Sequence, residues 1–342
     1  MENQVNTDIM TADDSVAELE RLADLADDVV RRARAAGASQ AEVSASVSTG
    51  LSVNVRLGEV ETVERNRDRG FGLTVFFGQR KGSASTADLK PASIDATIAQ
   101  ACAIARYTEP DPCAGLADAA LMQTAFPDLD LWHPWQLDVD RAIDIGREVE
   151  AAGRDHDAIT NSEGASVQCG DAIGVYANSH GFIGRERGTH HSISCSLIAG
   201  QGDAMQRDGW YEYVRDANAF PAFASIGGKA AGRAAARLGA RKLSTRECAV
   251  LFAPEVARSL LGHLVWRSVA ARCIGARVSC SIMLASRCCR RLSTSSRSLS
   301  CSAGTRPAHS TPKAWQRANP HWSRAACCNA TYWAAIRRAS SG

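Results

Sequence analysis

No aspartate or glutamate occurs anywhere in residues 266–342, and this discontinuity limits what the chain can fold into more than any motif does. The segment holds twelve Arg and one Lys, and Arg with Ser makes up 26 of its 77 residues. No amphipathic period lasts beyond one or two turns, so it buries little apolar surface against the entropy of ordering. Taking its 13 basic residues from the chain's 39 leaves 26 basic against 37 acidic residues in 1–265, a net charge of −11. A body of that charge has no nucleic-acid footprint. Cysteine divides the same way: Cys102, Cys113, Cys169, Cys195 and Cys248 are scattered through the body, and the other seven of the twelve follow Trp266.

Two readings of the tail compete. Basic low-complexity segments bind RNA. A GC-rich gene translated out of frame also yields Arg, Ser, Ala and Cys without acids, and seven Cys with four Trp favour that origin. Rejoining the third base of each codon to the next two bases, from Val265 onward, permits Ala-Val-Ser-Gly-Gly-Ala-Leu-(Tyr/His)-Arg-Arg-Ala-Ser-Phe-Leu-Leu-Asp. The step from Cys273 to Ile274 allows only Tyr or His there. The chain is therefore expected to leave its reading frame near Trp266.

The body is patterned as α+β. Thr11 to Asp14 fits a capping box, and Leu19, Leu22, Ala26, Val29, Val30 and Ala33 recur at helical spacing before a stop at Gly37. Alternation then predicts strands through Val43, Ala45 and Val47, through Leu51, Val53, Val55 and Leu57, at 70–77 and at 80–86. Turns are expected near Gly58, at 67–70 and near Gly78. A helix with Pro91 in its first turn carries Ile94, Ile98, Cys102 and Ala105. Residues 108–135, with four prolines, read as a crossing. Beyond it a helix is expected at 138–152, strands at 166–169, 173–177, 188–199 and 248–252, and helices at 227–238 and 255–265. The expected organisation is a flexible start at 1–14, an N-terminal helix and antiparallel-sheet lobe at 15–115 and a linker at 116–137. An incomplete β-rich lobe at 138–265 and a disordered, out-of-frame tail at 266–342 complete it. The polar, acidic start does not read as a secretory leader, and no run of 18 apolar residues suggests a membrane span, so a cytoplasmic location with reduced thiols is expected.

The ordered segments Ala105-Arg-Tyr-Thr-Glu-Pro-Asp-Pro112, Asn161-Ser-Glu-Gly-Ala-Ser166, Ala177-Asn-Ser-His-Gly-Phe182 and Arg237-Leu-Gly-Ala-Arg-Lys-Leu-Ser244 resemble the TldD/PmbA family, in particular its PmbA-like branch. Phe252-Ala-Pro-Glu-Val-Ala-Arg-Ser-Leu-Leu-Gly-His-Leu-Val265 completes the series. The resemblance spans nearly all of 15–265. It implies a cytosolic metalloprotease built from two related subunits, in which the TldD-like subunit carries a His-Glu-x-x-x-His motif on a helix. Such a motif can hold a Zn²⁺ that activates water and polarises a peptide carbonyl. In this chain Gly262 and His263 stand where the motif's first His and Glu would be. The resemblance thus implies a metal-free subunit, with zinc supplied by a TldD-like partner and peptide as substrate. No catalytic, cofactor-binding or metal residue is assigned to the chain itself.

The residues taken alone support bland readings. His263 lacks further ligands at useful spacing and reads as packing or capping. His190 and His191, adjacent on a strand, face opposite sides and cannot readily share one ion. Ser179, His180 and Asp171 can be drawn as a triad, but nothing in their spacing supports it. Gly227-Gly228-Lys229 lacks the spacing of a phosphate loop and reads as a helix start. The group from Trp210 to Tyr213 either lines a peptide groove or subunit interface or packs in the core, and the sequence leaves both open. Two other functions stay in view: a non-catalytic peptide- or regulator-binding module, and nucleic-acid binding through the basic tail. Nucleotide sequencing across codons 265 and 266 is expected to show a frame change. Limited trypsin digestion should strip the arginine-rich end and leave the acidic body. A whole chain that resists trypsin as one unit would contradict the division.

Overall fold

Thr11 opens the first helix as its spacing predicts, its hydroxyl oxygen accepting the Asp14 amide at 3.1 Å. The computed structural model describes residues 10–112, 114–122 and 128–267. In chain order these form α1 (Ala12–Ala35), β1 (Gln40–Arg56), β2 (Glu59–Phe77), β3 (Arg80–Thr86), α2 (Pro91–Tyr107), α3 (Val139–Arg154), β4 (Ile159–Asn178), β5 (Ile183–Ala199), β6 (Gln206–Val214), α4 (Phe223–Ala236) and α5 (Pro254–Arg267). Residues 1–9 and 268–342, which hold most of the expected flexible start and nearly all of the expected tail, lie outside the described residues.

The fold is α+β, with one six-stranded sheet in the order β3-β2-β1-β4-β5-β6 and every neighbouring pair antiparallel. β1 and β4 pair from Glu42↔Asn178 to Val55↔Ala165, so strands from both halves of the sequence share the centre of the sheet. Inward residues alternate along the whole of β1, from Ala41 to Val55. α1 and α2 cover one end of this face, burying Leu22, Val29 and Ile98 against Val43, Phe71 and Val175. α3 and α4 cover the other end, burying Ile145, Val149 and Ile226 against Val53, Val167 and Leu197. Each large aliphatic side chain buried in this way contributes about 1.5–3 kcal/mol.

A polar row separates the two apolar clusters. Thr49, Asp171 and Thr189 sit opposite one another on β1, β4 and β5, and all three face inward with at most 5% of their surface exposed. The Asp171 carboxylate accepts the Met10 backbone amide at 2.9 Å and also the Thr49 hydroxyl. Thr189 binds a segment arriving from α2: its amide donates to the Leu131 carbonyl at 2.9 Å, and its hydroxyl oxygen accepts the His133 amide at 3.0 Å. The linker therefore straps across the covered face between the two helix pairs.

Three expectations are corrected. The strands expected at 166–169 and 173–177 are one strand, β4, because Asp171 faces inward and finds partners there. The turn expected at 67–70 is absent. β2 runs straight through, its residues from Glu59 to Arg69 exposed because β3 pairs only from Phe71 onward. Residues 248–252 form no strand. They are exposed coil, with Leu251 99% exposed, since an apolar run forms a strand only against a partner.

Helix packing on the second cluster depends on Gly227 in α4. A Cβ there would collide with the Val149 carbonyl of α3, whereas one on Gly228 would meet nothing within 4 Å. Gly227→Ala should therefore lower the stability of the chain by ~1–3 kcal/mol through overpacking. Gly228→Ala should raise it by up to about 1 kcal/mol through helix propensity. Urea unfolding midpoints of the two variants check the pair, and equal shifts would contradict the packing.

Candidate functional site

The second face of the sheet has a different character. Ser44, Ser46, Ser48 and Ser52 of β1 point there, as do Ser192, Ser194 and Ser196 of β5, with Gly170 and Gly174 between them on β4. Small side chains leave the strands low and the face open. Across β1, β4, β5 and β6 lies a shallow groove of about 390 Å³, lined by Asn54, Glu61, Glu163, Ser166, Ser194, Ser196, Trp210 and Tyr211 among others. Glu163 anchors one end, accepting the Ser196 hydroxyl at 2.8 Å and Arg207 at 2.9 Å. Those bonds, the Arg207 one foremost, hold its carboxyl below the usual range.

Farther along the same face, β5 and the end of β6 bring together Glu186, His190, Tyr213 and Arg215. The His190 ring lies over Gly170, where a Cβ would come within 2.6 Å of it, and it stacks on Tyr213 at 6.4 Å between centroids. The Arg215 guanidinium donates to the Thr189 carbonyl at 2.9 Å. Partial burial dominates the titration here. It raises the Glu186 carboxyl, and it lowers both His190 and Arg215, with the Arg215 charge adding to the lowering at His190. The face thus offers hydroxyls, aromatic rings and a half-desolvated charge cluster, chemistry suited to holding an extended polar chain.

The candidate residues distribute as follows. His190 and His191 point to opposite faces, as strand geometry requires. The residues of the drawn triad do not converge. Ser179 Oγ accepts the Ala41 amide at 3.1 Å, the backbone amide of exposed His180 donates to Asn178 Oδ1 at 3.0 Å, and Asp171 is buried under the opposite face. Gly227, Gly228 and Lys229 lie within α4 rather than at its start, and Lys229 Nζ sits 3.4 Å from the centre of the Trp210 ring. The group from Trp210 to Tyr213 splits: Trp210 packs on the helix-covered side while Tyr211 and Tyr213 face the groove side. Sequence reasoning missed Glu150, whose buried carboxylate accepts the Leu57 and Gly58 amides at 2.7 and 2.9 Å and closes the β1–β2 turn. It also missed that Glu186 lies within the electrostatic reach of Arg215, two residues too far apart in sequence for any local signal.

His263 is exposed on α5, and its neighbour Gly262 has no side chain to offer a ligand. Among the described residues no three His, Cys, Asp or Glu side chains gather closely enough to hold a metal ion, so the residues present do not fit one. Among those residues, too, no helix is long and apolar enough to cross a membrane.

With this geometry, a long antiparallel sheet with paired helices on one face and the other face open, the chain is an α+β protein in which two sequence segments share one sheet. Residues 41–105 match the model of PmbA/TldA metallopeptidase domain 1, and residues 132–238 match that of the PmbA/TldA metallopeptidase central domain. The chain belongs to the PmbA/TldD family. It is 45% identical over 226 residues to the metalloprotease PmbA of Escherichia coli O157:H7, covering 66% of this chain and 50% of that protein. It is 41% identical over 235 residues to a PmbA homologue of Haemophilus influenzae, covering 68% and 52%. A solved Bacteroides thetaiotaomicron protein, named for modulation of DNA gyrase, superposes with a TM-score of 0.60 at 25% identity, over 68% of this chain and 52% of its own. TldE of Thermococcus kodakarensis superposes with a TM-score of 0.52 at 16% identity, over 62% and 47%, a likeness of fold. The chain spans about half the length of the curated relatives it matches.

Thiol chemistry on this body is confined by burial. Cys169 and Cys195 are buried and their thiols are pushed up to about 11 and about 12 by desolvation, whereas Cys248 is exposed. Brief iodoacetamide treatment at pH 8, mapped by mass spectrometry, should label Cys248 at least tenfold faster than either buried thiol. Comparable rates would show that the covered face is not closed.

Proposed function

We propose that this chain is the PmbA-like, metal-free subunit of a cytoplasmic TldD/PmbA-type metalloprotease, acting with a metal-bearing TldD-like partner on extended peptides. The observation that carries the reading is the ordered match of both sequence segments to PmbA metalloproteases. Zinc in the partner would activate water and polarise the scissile carbonyl. The open face of this subunit supports the positioning half of that division of labour, because hydroxyls and tyrosines can hold a peptide backbone without demanding particular side chains.

Only the matched half is at hand, so the test uses the chain restored to the full length of its relatives. Mixed with a TldD-like protein, it should cleave a panel of unstructured peptides, and a chelator should abolish the cleavage. Neither protein alone should turn over at more than a small fraction of the combined rate. Undiminished turnover by the partner alone would instead make this chain a peptide- or regulator-binding module. Cleavage that ignores the chelator would remove the metal from the account.

A further inference from the structure

His191 is 1% exposed at the inner face of β5, beside the polar row. Its Nε2–H donates to the His133 carbonyl of the strap at 3.0 Å, and its ring meets Trp135 of the strap edge-on at 5.3 Å. Its Nδ1 has no hydrogen-bond partner. We propose that His191 is a proton-operated latch: the neutral ring holds residues 131–135 between the two helix pairs, and the imidazolium releases them.

A carbonyl can only accept, so Nε2 carries the hydrogen in this bond, and the neutral ring then has a bare Nδ1. A proton added at Nδ1 would be a second donor and a full charge in a dry site with no acceptor beside it, an arrangement that burial penalises heavily. The charged and titratable groups around the ring do not remove that penalty. The His133 carbonyl and Asp216, beyond β6, favour a positive ring, whereas His190 on the same strand and the His133 side chain oppose one, and desolvation outweighs them all. Across the sheet from His191 lies Cys169, an apolar, buried thiol. Asp171, the next inward residue on β4, already accepts from Met10 and Thr49. Arg215, beyond the end of β6, donates to the Thr189 carbonyl. Desolvation accordingly depresses the His191 pKa.

Besides His191 the strap is held by Thr189, through the Leu131 carbonyl and the His133 amide, and opening breaks those bonds too. Trp132 Nε1 is buried without a partner, so opening lets it bind water, and the Arg187 guanidinium rests 5.4 Å from the centre of the Trp132 ring. The sign follows from linkage. The open state has an ordinary histidine near pH 6.5 and binds a proton before the closed state does, so closure weakens as pH falls below that value. Since Trp132 packs on one apolar cluster and Trp135 on the other, release of the strap would open the boundary between them.

The test is hydrogen exchange by mass spectrometry on the full chain between pH 7.5 and 5, corrected for intrinsic rates. Amides at 131–135 should open several-fold more at pH 5, while β1 and β4 change little. His191→Gln, which keeps a donor toward His133 but cannot titrate, should abolish the pH response. His133→Gln should retain it. Constant strap protection in the unmodified chain, or an unchanged response in His191→Gln, would overturn the latch. If His191→Gln does not fold, ¹⁵N-histidine NMR of the unmodified chain decides. Protonation of His191 must track strap opening, and opening while that ring stays neutral would overturn the proposal as well.

Discussion

The uninterrupted pairing of β1 with β4 is the constraint on which the rest of this molecule depends. It places inward residues of two distant sequence segments in one continuous face, so the two helix pairs must divide that face between them. The boundary falls at Thr49, Asp171 and Thr189. A carboxylate buried at such a position costs several kcal/mol unless its oxygens are satisfied. Here the start of α1 and a neighbouring hydroxyl supply the donors, and the strap supplies both donor and acceptor for Thr189. The polar row therefore fixes where α1 begins and where the crossing segment passes. An apolar row would have left both free to slide.

The helices gather on one face of the sheet and leave the other open. The helices approach so closely that α4 needs a bare backbone at Gly227, and nothing of that kind constrains the serine-lined side. Its side chains are short, its aromatic rings come from the outermost strand β6, and its half-buried charges are shared between β5 and the residue following β6. In the proposed function this open side is the one that would hold the peptide.

Much of this was legible from residue spacing. The 3.6 period from Leu19 to Ala33, with Thr11 as cap, located α1, and the alternation from Val43 to Val55 located β1. Where alternation paused, the sequence reading broke the strand: at Thr49 and Gly50 in β1, and at 170–172 in β4. Those pauses are the polar row, and what looked like interruptions were inward positions with partners too distant in sequence to see. The exposed charges of 67–69 resembled a turn because an uncovered stretch of strand needs no apolar face. β6 escaped notice for a related reason, since no residue in it is fully buried and its pattern is correspondingly faint. The apolar run at 249–252 misled in the opposite direction, having the composition of a strand but no strand to pair with among the described residues.

Native-state hydrogen exchange along β1 and β4 is the most direct measure of whether one sheet unites the two segments. Amides beside Val43 to Val47 and amides beside Leu51 to Val55 should open with a single shared free energy, together with their β4 partners. Two well-separated opening energies, one for each side of Thr49, would mean that the halves unfold independently and that the central pairing does not hold them together.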